Sequence, residues 1–155
     1  MRPTPDRVRE TLFNWLGQDL TGKRCLDLFA GSGALGFEAA SRGASEVTMV
    51  ENNRAAFRAL QENSGKLGCA NLVLCCEDGL GFARRLEEGR YDVIFLDPPF
   101  QGGYLPEMLP LLAGKLAESG LVYAETGEAF KPDTAWRVAK SGRAGKVFYQ
   151  LLQQA

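Results

Sequence analysis

Strand-like and helix-like runs of apolar residues alternate along most of the chain. Five short runs bounded by turn residues are typical of buried strands: 24–29, 46–50, 72–76, 91–96 and 120–125. Apolar positions at helical spacing occur before and between these runs, at 5–16, 35–40, 55–67 and 104–118. Thr4 is predicted to cap the first helix, with Pro5 at its first position. The alternation predicts an α/β fold in which an open, mostly parallel sheet is covered by helices on both faces.

The last part of the chain follows a different pattern. Apolar and polar residues alternate at 134–140 and again at 146–152, on either side of the glycine-containing segment 141–145. This alternation predicts an antiparallel hairpin. We therefore expect one domain over residues 1–155, with three parts: an opening helix over 1–18, the βα units that form the site over 23–126, and the hairpin over 134–152.

The first predicted strand is followed by a glycine-rich loop, Ala30-Gly31-Ser32-Gly33-Ala34-Leu35-Gly36. The G-x-G-x-x-G pattern between a strand and a helix is typical of nucleotide-type cofactor sites, because glycine lets the backbone turn sharply and approach a ligand. Glu51 follows the second strand about twenty residues after the first glycine, which is the spacing expected of an acid that binds a ribose. Asp78 and Gly79 follow the third strand. Together these strand ends predict one ligand crevice along the carboxyl edge of the sheet.

The fourth predicted strand is followed by Asp97-Pro98-Pro99-Phe100. The exocyclic amino group of a nucleobase has two N–H donors, which the Asp97 carboxylate and the Pro98 carbonyl can accept. The two prolines restrict the backbone, so these acceptors need little reorganisation during a reaction. Phe100 offers a flat apolar face on which a flipped base can stack. The four residues therefore suit methylation of a nucleobase amino group.

Each of these acids also has a simpler interpretation. Residues 97–100 could form a proline-rich turn that Asp97 initiates. Glu51 could cap the helix that follows it, and Asp78 could be an ordinary turn residue.

Composition narrows the chemistry. The chain has no histidine, which excludes Ser-His and Cys-His nucleophilic mechanisms and any His-ligated metal. The four cysteines have no Cys-x-x-Cys spacing, so we expect no metal site and reduced thiols, as in cytoplasmic proteins. A nucleophilic role for Cys75 or Cys76 on a pyrimidine carbon would lack an activating base. Charged residues or glycines interrupt every apolar run, so we expect no membrane partner.

The net charge is −1, but basic residues are unevenly distributed. One group lies in the segment 131–146, which contains only one acidic residue, Asp133. Its basic residues are Lys131, Arg137, Lys140, Arg143 and Lys146. A second group, Arg2, Arg7 and Arg9, lies at the amino end. Both groups could contact phosphates, or could form solvated surface.

The motifs together resemble a known family. The glycine loop, the strand-end Glu51 and Asp97-Pro98-Pro99-Phe100 are similar to those of class I, Rossmann-like methyltransferases that act on amino groups of bases with S-adenosylmethionine as cofactor. The opening segment 2–16 resembles that of the bacterial enzymes that methylate the N2 amino group of a guanine in small-subunit (16S) ribosomal RNA. The resemblance covers nearly the whole chain.

The resemblance implies a role for each matching position. Asp27 and the backbone of Phe29, Ala30, Gly31, Ser32 and Gly33 would hold the methionine and ribose part of S-adenosylmethionine. Glu51 would accept both ribose hydroxyls, with Asn52 beside the adenine. Asp78 would bind the adenine amino group, and Gly79 would leave room for the ring. Asp97, Pro98, Pro99 and Phe100 would hold the guanine, without a metal.

The resemblance also implies that the substrate is small-subunit ribosomal RNA, free or in a partly assembled small subunit. We expect the protein to act as a monomer in the cytoplasm. Candidate RNA contacts are Arg2, Arg7, Thr11, Arg143 and Lys146. Arg7 and Thr11 could instead lie on a plain surface face of the helix.

Three alternatives stay open. A methyltransferase for adenine N6 or cytosine N4, in DNA or RNA, could use the same acid and aromatic ring. A non-catalytic RNA-binding assembly factor could keep the fold. A nicotinamide-dependent oxidoreductase would share the glycine loop but would normally need a further substrate domain.

Overall fold

A computed structural model describes residues 5–68, 70–98 and 105–155 of the chain. Helices and strands alternate in these residues up to a final pair of strands. The helices are α1 (Asp6–Trp15), α2 (Ala34–Ser41), α3 (Arg54–Leu67), α4 (Gly79–Arg84) and α5 (Leu105–Leu112). The strands are β1 (Arg24–Asp27), β2 (Glu46–Val50), β3 (Leu72–Cys75), β4 (Val93–Leu96), β5 (Leu121–Thr126), β6 (Trp136–Ala144) and β7 (Val147–Gln154).

The strands form one seven-stranded sheet in the order β3-β2-β1-β4-β5-β7-β6. The first five strands pair in parallel, and β7 lies antiparallel between β5 and β6. The predicted fold class, an open and mostly parallel sheet with a carboxyl-terminal antiparallel hairpin, is therefore confirmed.

Alternate residues of the central strands supply two hydrophobic clusters, because successive side chains point to opposite faces of a sheet. On one face, Cys25, Phe95 and Tyr123 pack with residues of α1, α2 and α3. On the other face, Leu26 and Ile94 pack with residues of α4 and α5. Helices thus cover both faces, and the parallel strands present their carboxyl ends along one edge.

The hairpin differs from the prediction. The first predicted strand of the hairpin ended at residue 140, but β6 continues to Ala144, which pairs with Val147 across a two-residue turn. Gly145 adopts a φ of 60° in this turn, a conformation that glycine accepts without strain. Gly142 lies within β6, where a Cβ atom would lie 2.6 Å from the Tyr149 ring. The glycines here serve the strand and its tight turn rather than a long loop.

The helices also differ from the prediction at their ends. Pro5 was predicted to be the first helical residue of α1, but it is the N-cap, and α1 begins at Asp6. Thr4, the predicted cap, lies outside the described residues. α5 ends at Leu112, well short of residue 118, because the chain turns at Gly114 with a φ of 78°. α4 was not predicted, since it has only six residues. β1 ends at Asp27 instead of continuing to residue 29.

None of the helices in the described parts of the chain is long and apolar enough to cross a membrane.

Candidate active site

The direction in which strands are added reverses at β1, which pairs with β2 on one side and with β4 on the other. In open α/β sheets, ligands bind outside the carboxyl ends of the strands at such a point. β1 ends at Asp27, and Asp97 follows β4 directly. Asp27 is in register with Phe95, two residues before Asp97. The fold therefore brings the ends of the glycine-loop strand and of the Asp97 strand together.

Asp27 is the most deeply buried of the predicted acids, with only 2% of its surface exposed. Its Oδ1 atom has no hydrogen-bond partner among the described residues. Burial raises the pKa of Asp27 from 3.8 to about 7, hydrogen bonds from the Phe29 and Gly36 backbone lower it, and the charge of Glu51 raises it. A buried carboxyl oxygen without a partner is unfavourable in the ligand-free protein. It also offers a ready acceptor for a cationic or N–H donor.

The glycine loop depends on backbone conformations that other residues rarely adopt. Gly31 and Gly33 have φ values of 56° and 88°. The Gly33 N–H donates to the Ala30 carbonyl over 2.8 Å, which closes the turn before α2. A Cβ atom on Gly33 would lie 2.7 Å from a Leu60 methyl and closer still to the Phe37 ring. Glycine is thus needed at position 33 both for the turn and for packing against α2 and α3.

The Glu51 carboxylate joins the loops that follow β1 and β2. Its Oε1 accepts a hydrogen bond from the Gly31 N–H over 2.8 Å, and its Oε2 accepts one from the Asn53 N–H over 2.9 Å. Asn53, rather than Glu51, caps α3 by accepting from the Ala56 N–H. The capping interpretation of Glu51 is therefore wrong. Its hydrogen bond across twenty positions to Gly31 was not predicted.

Asp78 and Gly79 begin α4. The Asp78 Oδ2 accepts from the Gly81 N–H over 3.1 Å, so this carboxylate is the N-cap of the helix. A Cβ atom on Gly79 would lie 2.6 Å from the Leu28 carbonyl oxygen and 3.0 Å from the Phe29 ring. Glycine at position 79 therefore allows α4 to approach the loop after β1. The cofactor roles of both residues stay predictions.

The remaining cofactor candidates line the same edge of the sheet. Ala30 is buried and Phe29 is half-buried, whereas Ser32 and Asn52 are exposed. The Ala30 N–H donates to the Val50 carbonyl over 2.9 Å, which attaches the glycine loop to the end of β2.

Asp97 and Pro98 are half-buried at the end of β4. Pro99 and Phe100, the other predicted catalytic residues, lie outside the described residues. The structure therefore places the predicted acceptor pair at the switch point of the sheet and leaves the stacking role of Phe100 a prediction.

A buried pair beside Asp97 was missed by the sequence analysis. The Tyr123 hydroxyl donates to Glu125 Oε1 over 2.6 Å, and 0% and 7% of the two residues are exposed. The pKa of Tyr123 is raised, first by burial, then by Glu125, and also by the charge of Asp97. The pair therefore lies close enough to Asp97 for their charges to interact. Its signal in the sequence is a Tyr-x-Glu spacing, which puts both side chains on one face of a strand.

The candidate RNA contacts are dispersed over the surface. Arg7 is exposed on α1, and the Thr11 hydroxyl donates to the Arg7 carbonyl over 2.9 Å within the same helix. Arg143 and Lys146 are exposed in the hairpin, while Arg2 lies outside the described residues. The described residues of this set therefore form two groups, one on α1 and one on the hairpin.

The described cysteines are Cys25, Cys75 and Cys76, all with free thiols; Cys69 is outside the described residues. Burial raises the pKa of Cys25 to about 12 and also raises that of Cys75. A raised pKa keeps a thiol protonated, which disfavours Cys75 as a nucleophile. Within the parts of the chain that the structure describes, no group of three or more His, Cys, Asp or Glu residues could hold a metal ion.

The family to which the chain belongs is shown by a match over nearly its whole length. A family model described as "Conserved hypothetical protein 95" matches residues 1–153. The chain belongs to this family. One relative is the ribosomal RNA small subunit methyltransferase D of Escherichia coli strain K12. The two sequences are 40% identical over 159 residues, which cover 99% of this chain and 80% of the relative. The match confirms the resemblance to methyltransferases of small-subunit ribosomal RNA.

Solved structures agree with this assignment. The Escherichia coli protein yhhF is 39% identical to this chain. Its structure has a TM-score of 0.90 and covers 99% of this chain and 88% of that chain. An RNA methyltransferase from Salinibacter ruber, solved with S-adenosyl-L-homocysteine, is 17% identical and has a TM-score of 0.73 over 97% of this chain and 92% of that chain. The predicted class I methyltransferase fold is confirmed.

Proposed function

We propose that the protein transfers a methyl group from S-adenosylmethionine to the N2 amino group of a guanine in small-subunit ribosomal RNA. The observation that carries the proposal is the position of Asp97 and Pro98, directly after β4 and beside the buried Asp27 at the switch point of the sheet. The name of the Escherichia coli relative, ribosomal RNA small subunit methyltransferase D, supports the substrate class.

The residues of the crevice fit the chemistry of S-adenosylmethionine. The cofactor has an ammonium group, and the unpartnered Oδ1 of Asp27 is a buried acceptor that such a group would satisfy. Each oxygen of the Glu51 carboxylate accepts one backbone N–H, from Gly31 and from Asn53, and a carboxylate has about four acceptor positions in total. It can therefore accept from ribose hydroxyls while it keeps its bonds to the backbone. Asn52, Asp78 and Gly79 would contact the adenine.

When bound, S-adenosylmethionine supplies an electrophilic methyl group, so the protein itself needs no nucleophile. The work of the chain is to position the guanine N2, whose lone pair is delocalised into the ring. The Asp97 carboxylate and the Pro98 carbonyl would each accept one N–H of the amino group, which would fix the orientation of the nitrogen for methyl transfer. The proton released after transfer passes to Asp97 or to water.

The RNA would lie across the carboxyl edge of the sheet. Arg143 and Lys146 on the exposed hairpin, and Arg7 at the amino end of α1, are available for phosphate contacts. A monomer acting in the cytoplasm on a partly assembled small subunit is part of this proposal.

Replacement of Asp97 tests the mechanism. Asp97→Asn keeps the shape of the side chain but removes its charge and one acceptor, so we expect kcat to fall by about a hundredfold or more. S-adenosylhomocysteine should still raise the melting temperature of the variant, because Asp97 contributes to the reaction rather than to the glycine-loop site. The matched control is Asp133→Asn, at an exposed aspartate in the segment between β5 and β6, which should leave kcat unchanged. A kcat of Asp97→Asn close to the wild-type value would contradict the assignment.

A further inference from the structure

A cavity of about 350 Å³ lies beside the candidate active site, between the hairpin, the start of α5 and the segment after β5. Its size falls within the range of pockets that bind small organic groups. The residues that give it chemical character are Thr126, Phe130, Ser141, Arg143, Phe148 and Gln150. Neither the glycine loop nor Glu51 contributes to its lining, so it is separate from the proposed cofactor crevice.

Gln150 lines this cavity, and its side chain has an unsatisfied polar atom. Its Nε2 donates to the Phe130 carbonyl over 2.9 Å, which fixes the orientation of the amide. Its Oε1 is buried and has no hydrogen-bond partner among the residues that the structure describes. Buried acceptors are nearly always paired, so this one points to a missing N–H or O–H donor.

The walls of the cavity offer flat surfaces for stacking. The guanidinium of Arg143 lies over the Phe148 ring, 4.9 Å from its centroid, and its Nε donates to the Gly145 carbonyl over 2.9 Å. These contacts hold a planar cation at the rim. Phe130 is half-buried on another wall. Aromatic rings and arginine planes are the surfaces on which unpaired RNA bases stack.

The surroundings of the cavity favour an anionic chain. Arg143 and Lys146 are exposed on the hairpin that forms one wall. Ala124 lines the cavity and is in register with Leu96, the residue that precedes Asp97. The cavity thus opens at the same sheet edge as the proposed catalytic residue, next to the strand that carries it.

We propose that this cavity binds an unpaired nucleotide of the RNA that adjoins the methylated guanine. The base stacks on Phe130 or on the plane of Arg143, and one of its N–H groups donates to Gln150 Oε1. The inference rests on the proposed function, because it takes the occupant from the RNA substrate. It adds a second base-binding site to the one at Asp97.

Two pairs of measurements test this site. Arg143→Gln and the control Lys140→Gln remove the same charge from the same strand, but only Arg143 lines the cavity. With a small-subunit RNA fragment that contains the modified guanine, we expect Arg143→Gln to raise the Kd and the KM for RNA about tenfold, the effect of losing one stacking surface. Lys140→Gln should change both by less than about twofold. S-adenosylhomocysteine binding should be the same in all three proteins.

A second test pairs Phe130→Ala with removal of single bases from the RNA. Urea unfolding first establishes that the Phe130 variant is folded. For wild-type protein, one abasic position next to the guanine should weaken binding about tenfold. For Phe130→Ala the same abasic position should cause a clearly smaller loss, because the contact between the base and Phe130 is already absent.

The outcomes separate this inference from the proposed function. Equal RNA affinity for Arg143→Gln and Lys140→Gln, or additive losses for Phe130→Ala and every abasic position, would overturn the cavity assignment while wild-type methyl transfer continued. Absence of both RNA binding and methyl transfer in the wild type would overturn the cavity assignment and the proposed function together.

Discussion

Replacing the buried Asp27 with asparagine should stabilise the ligand-free protein at neutral pH while impairing its function. Asp27 is 2% exposed, and its Oδ1 lacks a partner among the described residues. Asparagine has nearly the same shape and keeps an oxygen for the backbone hydrogen bonds from Phe29 and Gly36. The substitution therefore removes the charge and places an NH2 group where the unpartnered Oδ1 was.

The magnitude follows from the pKa of Asp27, which burial raises from 3.8 to about 7. Between these two pH values the folded protein holds a proton on Asp27 that the unfolded chain has released. The contribution of Asp27 to stability must therefore fall as pH rises through this window, and this contribution is level on either side. One pKa unit corresponds to about 1.36 kcal/mol, so the loss is about 4 kcal/mol as an order of magnitude.

The assay is urea unfolding of the ligand-free wild type and Asp27→Asn at a series of pH values from 4 to 8. The difference in unfolding free energy, variant minus wild type, should increase across the series by a few kcal/mol, with unchanged m-values. The variant should also lose most of its thermal stabilisation by S-adenosylhomocysteine. A difference that stays constant from pH 4 to pH 8 would refute the reasoning, because Asp27 would then titrate alike in the folded and unfolded states.

Three further substitutions probe contacts around the site. Gly36→Ala would place a Cβ 2.8 Å from Met49 Cγ, so it should lower the free energy of unfolding in urea by about 1–3 kcal/mol. The control is Gly65→Ala in α3, where a Cβ would have nothing within 4 Å and alanine should be tolerated or stabilising; equal effects of the two substitutions would contradict the packing argument. Glu51→Gln should lower the free energy of unfolding by about 1–3 kcal/mol, because an amide cannot accept hydrogen bonds from two backbone N–H groups through both of its ends. It should also weaken S-adenosylhomocysteine binding in calorimetry, and undiminished binding would count against the ribose role. Tyr123→Phe removes a 2.6 Å hydrogen bond to a buried carboxylate and should lower stability by about 1–3 kcal/mol; an unchanged denaturation midpoint would show that the bond contributes nothing.

The sequence predicted the parts of the fold that depend on local pattern. Apolar runs and glycine spacing predicted the parallel strands, and the structure has β2 at the predicted bounds, 46–50. Gly68 was predicted to end the third helix, and it follows α3 with a φ of 65°. These predictions were correct because a glycine in a left-handed conformation or a buried β-branched run leaves few alternatives.

The errors occurred where distant parts of the chain decide the local structure. Residues 141–144 contain glycine and serine and resemble a loop, but they pair with β7 and extend β6. The contact between Glu51 and Gly31 spans twenty positions and depends on how the loops after β1 and β2 meet. The pair of Tyr123 and Glu125 is visible in the sequence as a spacing, yet only the sheet order places it beside Asp97.

The most direct test of the account is transfer of radiolabelled methyl from S-adenosylmethionine to small-subunit ribosomal RNA, free and in partly assembled particles, followed by nucleoside analysis. The account predicts label in N2-methylguanosine, and it predicts that Asp97→Asn transfers methyl at a rate at least about a hundredfold lower than the wild type. Label in N6-methyladenosine or N4-methylcytidine would contradict the assignment of the base. No label in either substrate, from a protein that S-adenosylhomocysteine stabilises, would contradict the assignment of the RNA.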